Sequence, residues 1–258
     1  MAADNVTAGK VGETGAQEPD GTQPDTALDT ALDGVPADGT PADGTSVAAG
    51  YRSDTGHHYE VAESDVVFTG RIIRLRRDIV RMPDGVVSQR DVVMHPGAVG
   101  VVALDETGQV VMVNQYRHPV RRALWELPAG ILDVPGERLA TAAARELAEE
   151  AHLTAARWDL LVDVLASPGM TDEAYRVFLA RDLAVIPPSQ RHVGVHEEAD
   201  MRTQRVDLDE AVTGVLSGSI TNAMAVIGIL AVATARAGGF ASLRAADVPW
   251  PDRPAPAG

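Results

Sequence analysis

The chain has no cysteine, which excludes disulfides and thiolate metal sites and fits a reducing cytoplasm. It also lacks a basic excess: 22 Lys and Arg stand against 37 Asp and Glu, a formal net charge of −15. A nucleic-acid partner is left without electrostatic support. No apolar run is long enough to span a bilayer. The greasiest, Ala223 to Ala235, falls short of the roughly 20 residues a span requires and reads as a buried helix. The opening MAADNVTAGK carries no apolar segment of the secretory kind. A cytoplasmic protein with neither a membrane nor a nucleic acid as partner is expected.

The first 50 residues are poor in bulky apolar side chains and hold nine Asp and Glu against Lys10 alone. Their balance of −8 leaves −7 of the total −15 for the rest. TALD and PADGT each occur twice here. Such a segment cannot bury enough surface to offset its ordering entropy, so residues 1–57 are expected to form a disordered acidic tail. The remainder is long enough for one substantial core, with room for a small appended unit.

Order is expected from about residue 58. Val66 to Met94 is rich in Val, Ile and Arg and is broken at MPDGVV, where Pro presets φ and Gly accepts φ > 0. Three short antiparallel strands are predicted, a β unit over 58–95. Next, AVGVVALD (98–105) and VVMVNQYR (110–117) flank ETGQ, a hairpin signal. A charged helix follows, then strand-like WDLLVDVLA and AYRVFLA, then two helices over DLDEAVTGVLSG and ITNAMAVIGILAVATARA. Strands, helix, strands, helices, without regular alternation, predict an α+β layered domain over 96–245 rather than a doubly wound parallel sheet. The Pro-rich end, 246–258, is expected to be irregular.

The charged helix carries the chemistry. With Leu139 to Ala151 placed on a wheel of about 100° per residue, Ala140, Ala143, Ala144, Leu147 and Ala151 form the stripe expected to be buried. Glu146, Glu149 and Glu150 fall in a roughly 100° arc beside it. Arg145 precedes Glu149 by four residues and can pair with it. Taken alone, such a cluster is ordinary on a solvated face, because like charges at i,i+4 cost only about 0.2–0.5 kcal/mol. Its frame is less ordinary. Glu137, a seven-residue spacer, Arg145-Glu146, Leu147, Ala148, Glu149-Glu150 and then Leu153 resemble the Nudix box. Two positions depart from that pattern. Six residues rather than five separate Gly130 from Glu137, and His152 stands where the closing glycine usually does.

The resemblance implies a Nudix fold, mixed β-sheets sandwiched between helices, with the small antiparallel β unit at the N-terminal side. It also implies a Mg²⁺-dependent hydrolase of a diphosphate bond, with Mn²⁺ a possible substitute. By that resemblance Glu146 and Glu150 ligate the metal, with Glu149 and the Ala129 carbonyl nearby, and Arg145 and Glu137 orient the carboxylates. A hard cation takes oxygen ligands and neutralises phosphate charge.

Flanking residues bear on the substrate. QYR…WELPAG looks like the ADP-ribose pyrophosphatase subgroup, and so does Pro168, sixteen residues past His152. Arg117 is then the candidate phosphate clamp, with Arg121 and Arg122 open between clamp and plain surface. Glu126 is a further acid near the metals, and Trp125 is expected in the core. In HVGVHEEADM the resemblance points to Glu198, then Glu197, as the group that activates water. Arg90 and Asp91, in SQRDVV, align with adenine-side contacts supplied across a homodimer in which strands are exchanged. The implied reaction is cleavage of ADP-ribose to AMP and ribose 5-phosphate. Two alternatives remain at this point: another nucleoside diphosphate sugar or dinucleotide as substrate, and a silent Nudix domain that senses ADP-ribose.

Overall fold

The computed structural model describes residues 58–192, 200–250 and 253–254. The expected acidic tail, 1–57, lies outside them. Among the described residues the first three strands are β1 (Val61–Thr69), β2 (Arg74–Arg81) and β3 (Val87–Met94), paired antiparallel in the order β1-β2-β3. The MPDGVV turn falls between β2 and β3 as predicted. Gly85 takes φ 83°, and Val86 donates its N–H to Asp84 Oδ1 at 3.0 Å. Every residue of β1 is exposed, Phe68 at 57%.

The remaining strands are β4 (Ala98–Ala103), β5 (Gln109–Arg117), β6 (Arg122–Glu126), β7 (Ala129–Ile131), β8 (Leu153–Leu165), β9 (Ala174–Val185), β10 (Arg202–Asp207) and β11 (Arg244–Ala245). Helices are α1 (Leu139–Ala151), α2 (Leu208–Leu216) and α3 (Ala223–Ala237). The strands form a five-stranded sheet, β11-β8-β9-β4-β7, and a three-stranded sheet, β10-β5-β6. Only the β4–β9 pairing is parallel within them. The α+β expectation holds.

The expected β4–β5 hairpin needs correction. ETGQ does turn, with Gly108 donating to the Asp105 carbonyl at 3.1 Å. Beyond one bridge, Leu104 to Val110, the two strands part into different sheets. The turn chemistry was legible, but β4 is apolar on both faces and is satisfied by β9 and β7. Strands of that kind sit inside a sheet, not at the edge of a ribbon.

Alternation along the central strands explains the sandwich. Ala98 and Val102 of β4 face one core with Val177 and Leu179 of β9, covered by Ala225, Ile229 and Val232 of α3. Val99, Val101 and Ala103 face the other with Phe178, covered by Ala142, Ala143 and Leu147 of α1. Each fully buried Leu, Ile or Phe contributes about 1.5–3 kcal/mol over exposure.

Both later helices start on side-chain caps. Asp207 accepts from the Asp209 N–H at 2.8 Å, and Asn222 from the Ala225 N–H at 3.0 Å. The irregular C-terminal segment lies along the five-stranded sheet. Arg176, 2% exposed, pairs with Asp163 at 2.6 Å, donates to the Val248 carbonyl at 2.8 Å and has its Cζ 5.0 Å from the Trp250 ring centroid. Arg253 reaches back to the Pro96 carbonyl at 3.1 Å, at the entry to β4.

Candidate active site

The cleft opens where the five-stranded sheet and the β10-β5-β6 sheet diverge. β6 belongs to the sheet of β5 and β7 to that of β4, so Leu127-Pro128 carries the chain from one sheet to the other. Pro128 accepts from the Val101 N–H at 2.9 Å, which fixes that crossing. Helix α1 packs across β4 and β7 and brings its acids to the opening. The resulting cleft has a volume of about 610 Å³ and is lined at this end by Glu126, Ala129, Gly130, Asp133, Arg145, Glu146, Glu149 and Glu150.

Helix α1 has the predicted bounds, and its buried face is rotated from the predicted stripe. Ala142, Ala143, Glu146 and Leu147 are the buried residues, while Ala140, Ala144 and Ala151 are half-buried. The helix touches β7 as well as β4, so its covered arc reaches Glu146, which the wheel alone placed at the margin. His152 takes the αL conformation, φ 54° and ψ 40°, and donates its N–H to the Leu147 carbonyl. The helix therefore stops where a glycine would stop it. The strain is of order 1 kcal/mol, and the carboxylates lie upstream of it.

Arg145 stands among the acids. It pairs with Glu137 at 3.1 Å, with Glu146 at 2.6 Å and with Glu149 at 3.2 Å. The Glu137 hydrogen bond is the foremost cause that holds its guanidinium charged. Glu146 is pushed above the usual carboxyl range, first by burial; Arg145 opposes the rise, and Glu149 and Asp133 add to it. Glu150 Oε2 accepts from the Ala129 N–H at 2.9 Å, so β7 sets that carboxylate in place. Gly130 makes room for Glu146: a Cβ there would lie 2.0 Å from its Cδ and Oε1.

No three acidic or histidine side chains among the described residues enclose one point as a ready metal cage. The reason is visible in the ion pairs, because Arg145 holds oxygens a cation would use. The donor set still suits a hard divalent ion. It is all oxygen, and a buried carboxylate facing two like charges gains from added positive charge. A cation entering here competes with Arg145 for Glu146 and Glu149.

The other predicted residues fall out as follows. Arg117 and Glu126 are brought together in a bidentate pair, 2.9 and 2.6 Å, at the wall of the cleft. Glu126 is thereby committed to Arg117 as well as near the other acids. Arg121 and Arg122 are exposed and do not line the cleft, which favours plain surface. Trp125 packs against the core. Arg90 and Asp91 lie on β3 away from the cleft of this chain; Asp91 pairs with Arg77 at 2.9 Å, and Arg90 donates to Ser88 Oγ at 2.5 Å. Glu197 and Glu198 lie outside the described residues.

Sequence reasoning missed the far end of the cleft, lined by His95, Glu173, Tyr175, Asn222 and Met224. These come from three separate segments, and no local pattern links them. The available signal was Glu173 closing SPGMTDE. Burial pushes the Tyr175 phenol up, and the Glu173 charge adds to that.

Two family models match adjacent parts of the chain. Residues 94–219 match the NUDIX domain, and residues 59–93 match the nucleoside diphosphate sugar hydrolase N-terminal domain. The chain is 48% identical over 198 residues to an ADP-ribose pyrophosphatase of Mycobacterium tuberculosis, covering 77% of this chain and 94% of that protein. It is 36% identical over 157 residues to the Bacillus subtilis ADP-ribose pyrophosphatase, 61% and 83% of the two chains. A methanol dehydrogenase activator of Bacillus methanolicus is 33% identical over 167 residues, 65% and 88%. A crystal structure of an ADP compounds hydrolase superposes with a TM-score of 0.62 at 18% identity, over 71% of this chain and 96% of that one. It shares the fold.

Proposed function

Since the chain belongs to the Nudix hydrolase family, we propose that it hydrolyses the diphosphate bond of ADP-ribose, releasing AMP and ribose 5-phosphate with the help of a divalent metal, Mg²⁺ or in its place Mn²⁺. The observation that carries this reading is the acidic end of the cleft, where α1 and β7 bring Glu146, Glu149, Glu150 and Ala129 to one wall. Its relatives from Mycobacterium tuberculosis and Bacillus subtilis, both named ADP-ribose pyrophosphatases, direct the choice of substrate.

In this reading Glu146, Glu150 and the Ala129 carbonyl hold the metal, with Glu149 beside them. When bound, a hard cation supplies charge neutralisation at the phosphoryl oxygens and a more acidic water. The chain's own groups do the positioning. The Ala129 N–H fixes Glu150. Arg145 ties Glu137 to the helix acids, and once Glu146 and Glu149 turn to a cation it keeps Glu137 as its anchor. Arg117, oriented at the cleft wall by its bidentate pair with Glu126, serves as the phosphate clamp. Glu198, with Glu197 second, takes the proton from the attacking water.

The substrate reading is tested on a panel of ADP-ribose, other nucleoside diphosphate sugars and dinucleotides with Mg²⁺, products being quantified by chromatography. ADP-ribose is expected to show the highest kcat/KM, and a chelator to abolish turnover. A different sugar at the head of the ranking favours the broader alternative, which the N-terminal match to a nucleoside diphosphate sugar hydrolase domain supports. Binding without turnover at saturating Mg²⁺ leaves only a sensor.

The working form is a homodimer built through the N-terminal β unit. Val61, Val66, Val67 and Phe68 of β1 and Ile72 and Ile73 beyond it are all exposed, an apolar strip of the kind a partner covers. Arg90 and Asp91, on the same sheet and remote from this chain's cleft, then serve the partner's adenine site. Light scattering on the purified chain is expected to give twice the 27.1 kDa monomer mass. A mass of one chain at micromolar concentration removes the dimer and with it the adenine role of Arg90 and Asp91.

A further inference from the structure

The two ends of the cleft differ in chemistry. One is the acidic wall just described. At the other, Tyr175 is 3% exposed and its hydroxyl has no hydrogen-bond partner among the described residues. A buried polar group without a partner costs about 1–3 kcal/mol. Packing alone does not require an oxygen there, since Val177 and Leu179, on the same side of β9, complete the core as hydrocarbons.

The neighbours indicate what that hydroxyl would meet. Asn222 spends its side-chain oxygen on the Ala225 N–H at 3.0 Å, which leaves its amide hydrogens as donors. Ala223 and Met224 open the 15-residue helix α3, and first-turn N–H groups have no partners within their helix. Glu173 supplies an acceptor carboxylate 3.8 Å from His95 Nδ1. That nitrogen already accepts from the Gly97 N–H at 3.1 Å, so Nε2 is the one left to donate. Donors beside an acceptor match a group of hydroxyls, each of which both gives and receives. A phosphoryl group would meet the Glu173 charge. A nucleobase would want a broad ring face; the Tyr175 ring is packed in the core, and the other ring among the described lining residues is the small His95 imidazole, held edge-on by the Gly97 N–H at its Nδ1.

We propose that Tyr175 is a specificity-determining residue whose hydroxyl hydrogen-bonds the sugar on the far side of the diphosphate from the nucleoside, with Glu173 and Asn222 completing the hydroxyl contacts. This rests on the ADP-ribose reading above. Access requires a small shift in the wall, and Met224 is the flexible side chain there. A site built around a substrate hydroxyl discriminates strongly against ligands lacking it, because its polar groups are then left unpaired.

The test is Tyr175→Phe in the full-length protein, with ribose 5-phosphate and AMP as product inhibitors of ADP-ribose hydrolysis. The inhibition constant of ribose 5-phosphate is expected to weaken about 3- to 10-fold, the worth of one hydrogen bond. That of AMP should move by less than about twofold. The melting temperature should hold or rise, since the variant removes an unpaired hydroxyl and keeps the ring. An unmoved ribose 5-phosphate constant, an equal shift for AMP, or a fall in melting temperature overturns the assignment. Wild-type protein that fails to hydrolyse ADP-ribose brings down the underlying reading instead, a result separate from any shown by the variant.

Discussion

Glu150→Gln is expected to lower kcat for ADP-ribose by about 10²- to 10³-fold with the fold intact. The amide has the same volume, and its oxygen can still accept the Ala129 N–H that Glu150 accepts at 2.9 Å. What disappears is one negative charge from the proposed cation site. A bound divalent ion contributes several kcal/mol of transition-state stabilisation, and each 1.36 kcal/mol is a factor of ten. Losing about 3–4 kcal/mol gives the stated range. Turnover at varied Mg²⁺ separates weaker metal binding, which excess metal rescues in part, from a loss that no metal restores. The melting curve should overlay that of the wild type. Wild-type turnover in this variant would dismiss Glu150 as a ligand and, with it, the assignment of the acidic wall.

Gly130→Ala probes the same site from the backbone. The added methyl would sit 2.0 Å from Glu146 Cδ and Oε1 and 2.6 Å from its Cγ. These atoms are the outer part of a flexible side chain, so the clash is relieved by swinging the carboxylate away, and the stability cost should stay within about 1–2 kcal/mol. Catalysis has no such tolerance. A ligand displaced by an ångström can cost about 10² in rate. The expected result is therefore a large loss of kcat with a melting temperature only a few degrees lower. A variant that unfolds, or one that keeps full activity, would each contradict the view that this glycine exists to admit Glu146.

How much was legible beforehand depended on the range over which each signal acts. The bounds of α1 were readable because Glu and Arg spacing, alanine content and the stop at His152 all act within a turn or two. The strands of the N-terminal unit and their Pro-Asp-Gly turn are local in the same sense. The β4–β5 hairpin misled because its turn is real while the pairing is decided by distant strands. The rotation of the α1 face, which puts Glu146 in the wall, needed the position of β7. The carboxylate cluster was named from sequence. The Arg145–Glu149 pair followed from i,i+4 spacing, while the hold of Arg145 on Glu146 and the room made by Gly130 are three-dimensional facts. The far end of the cleft was invisible for the same reason: His95, Tyr175 and Asn222 are 80 and 47 positions apart along the chain and become neighbours only through the β4–β9 pairing and the seating of α3.

The C-terminal strap has a consequence for how the protein comes into being. Arg176 is enclosed in the sheet, yet two of its contacts, the Val248 carbonyl and the Trp250 ring, arrive more than seventy residues later. Until those residues have been made, the Arg176 guanidinium can pair with Asp163 but lacks its carbonyl and its ring. Closing this side of the sheet is therefore left to the last of the described residues, Arg253 among them with its bond to the Pro96 carbonyl.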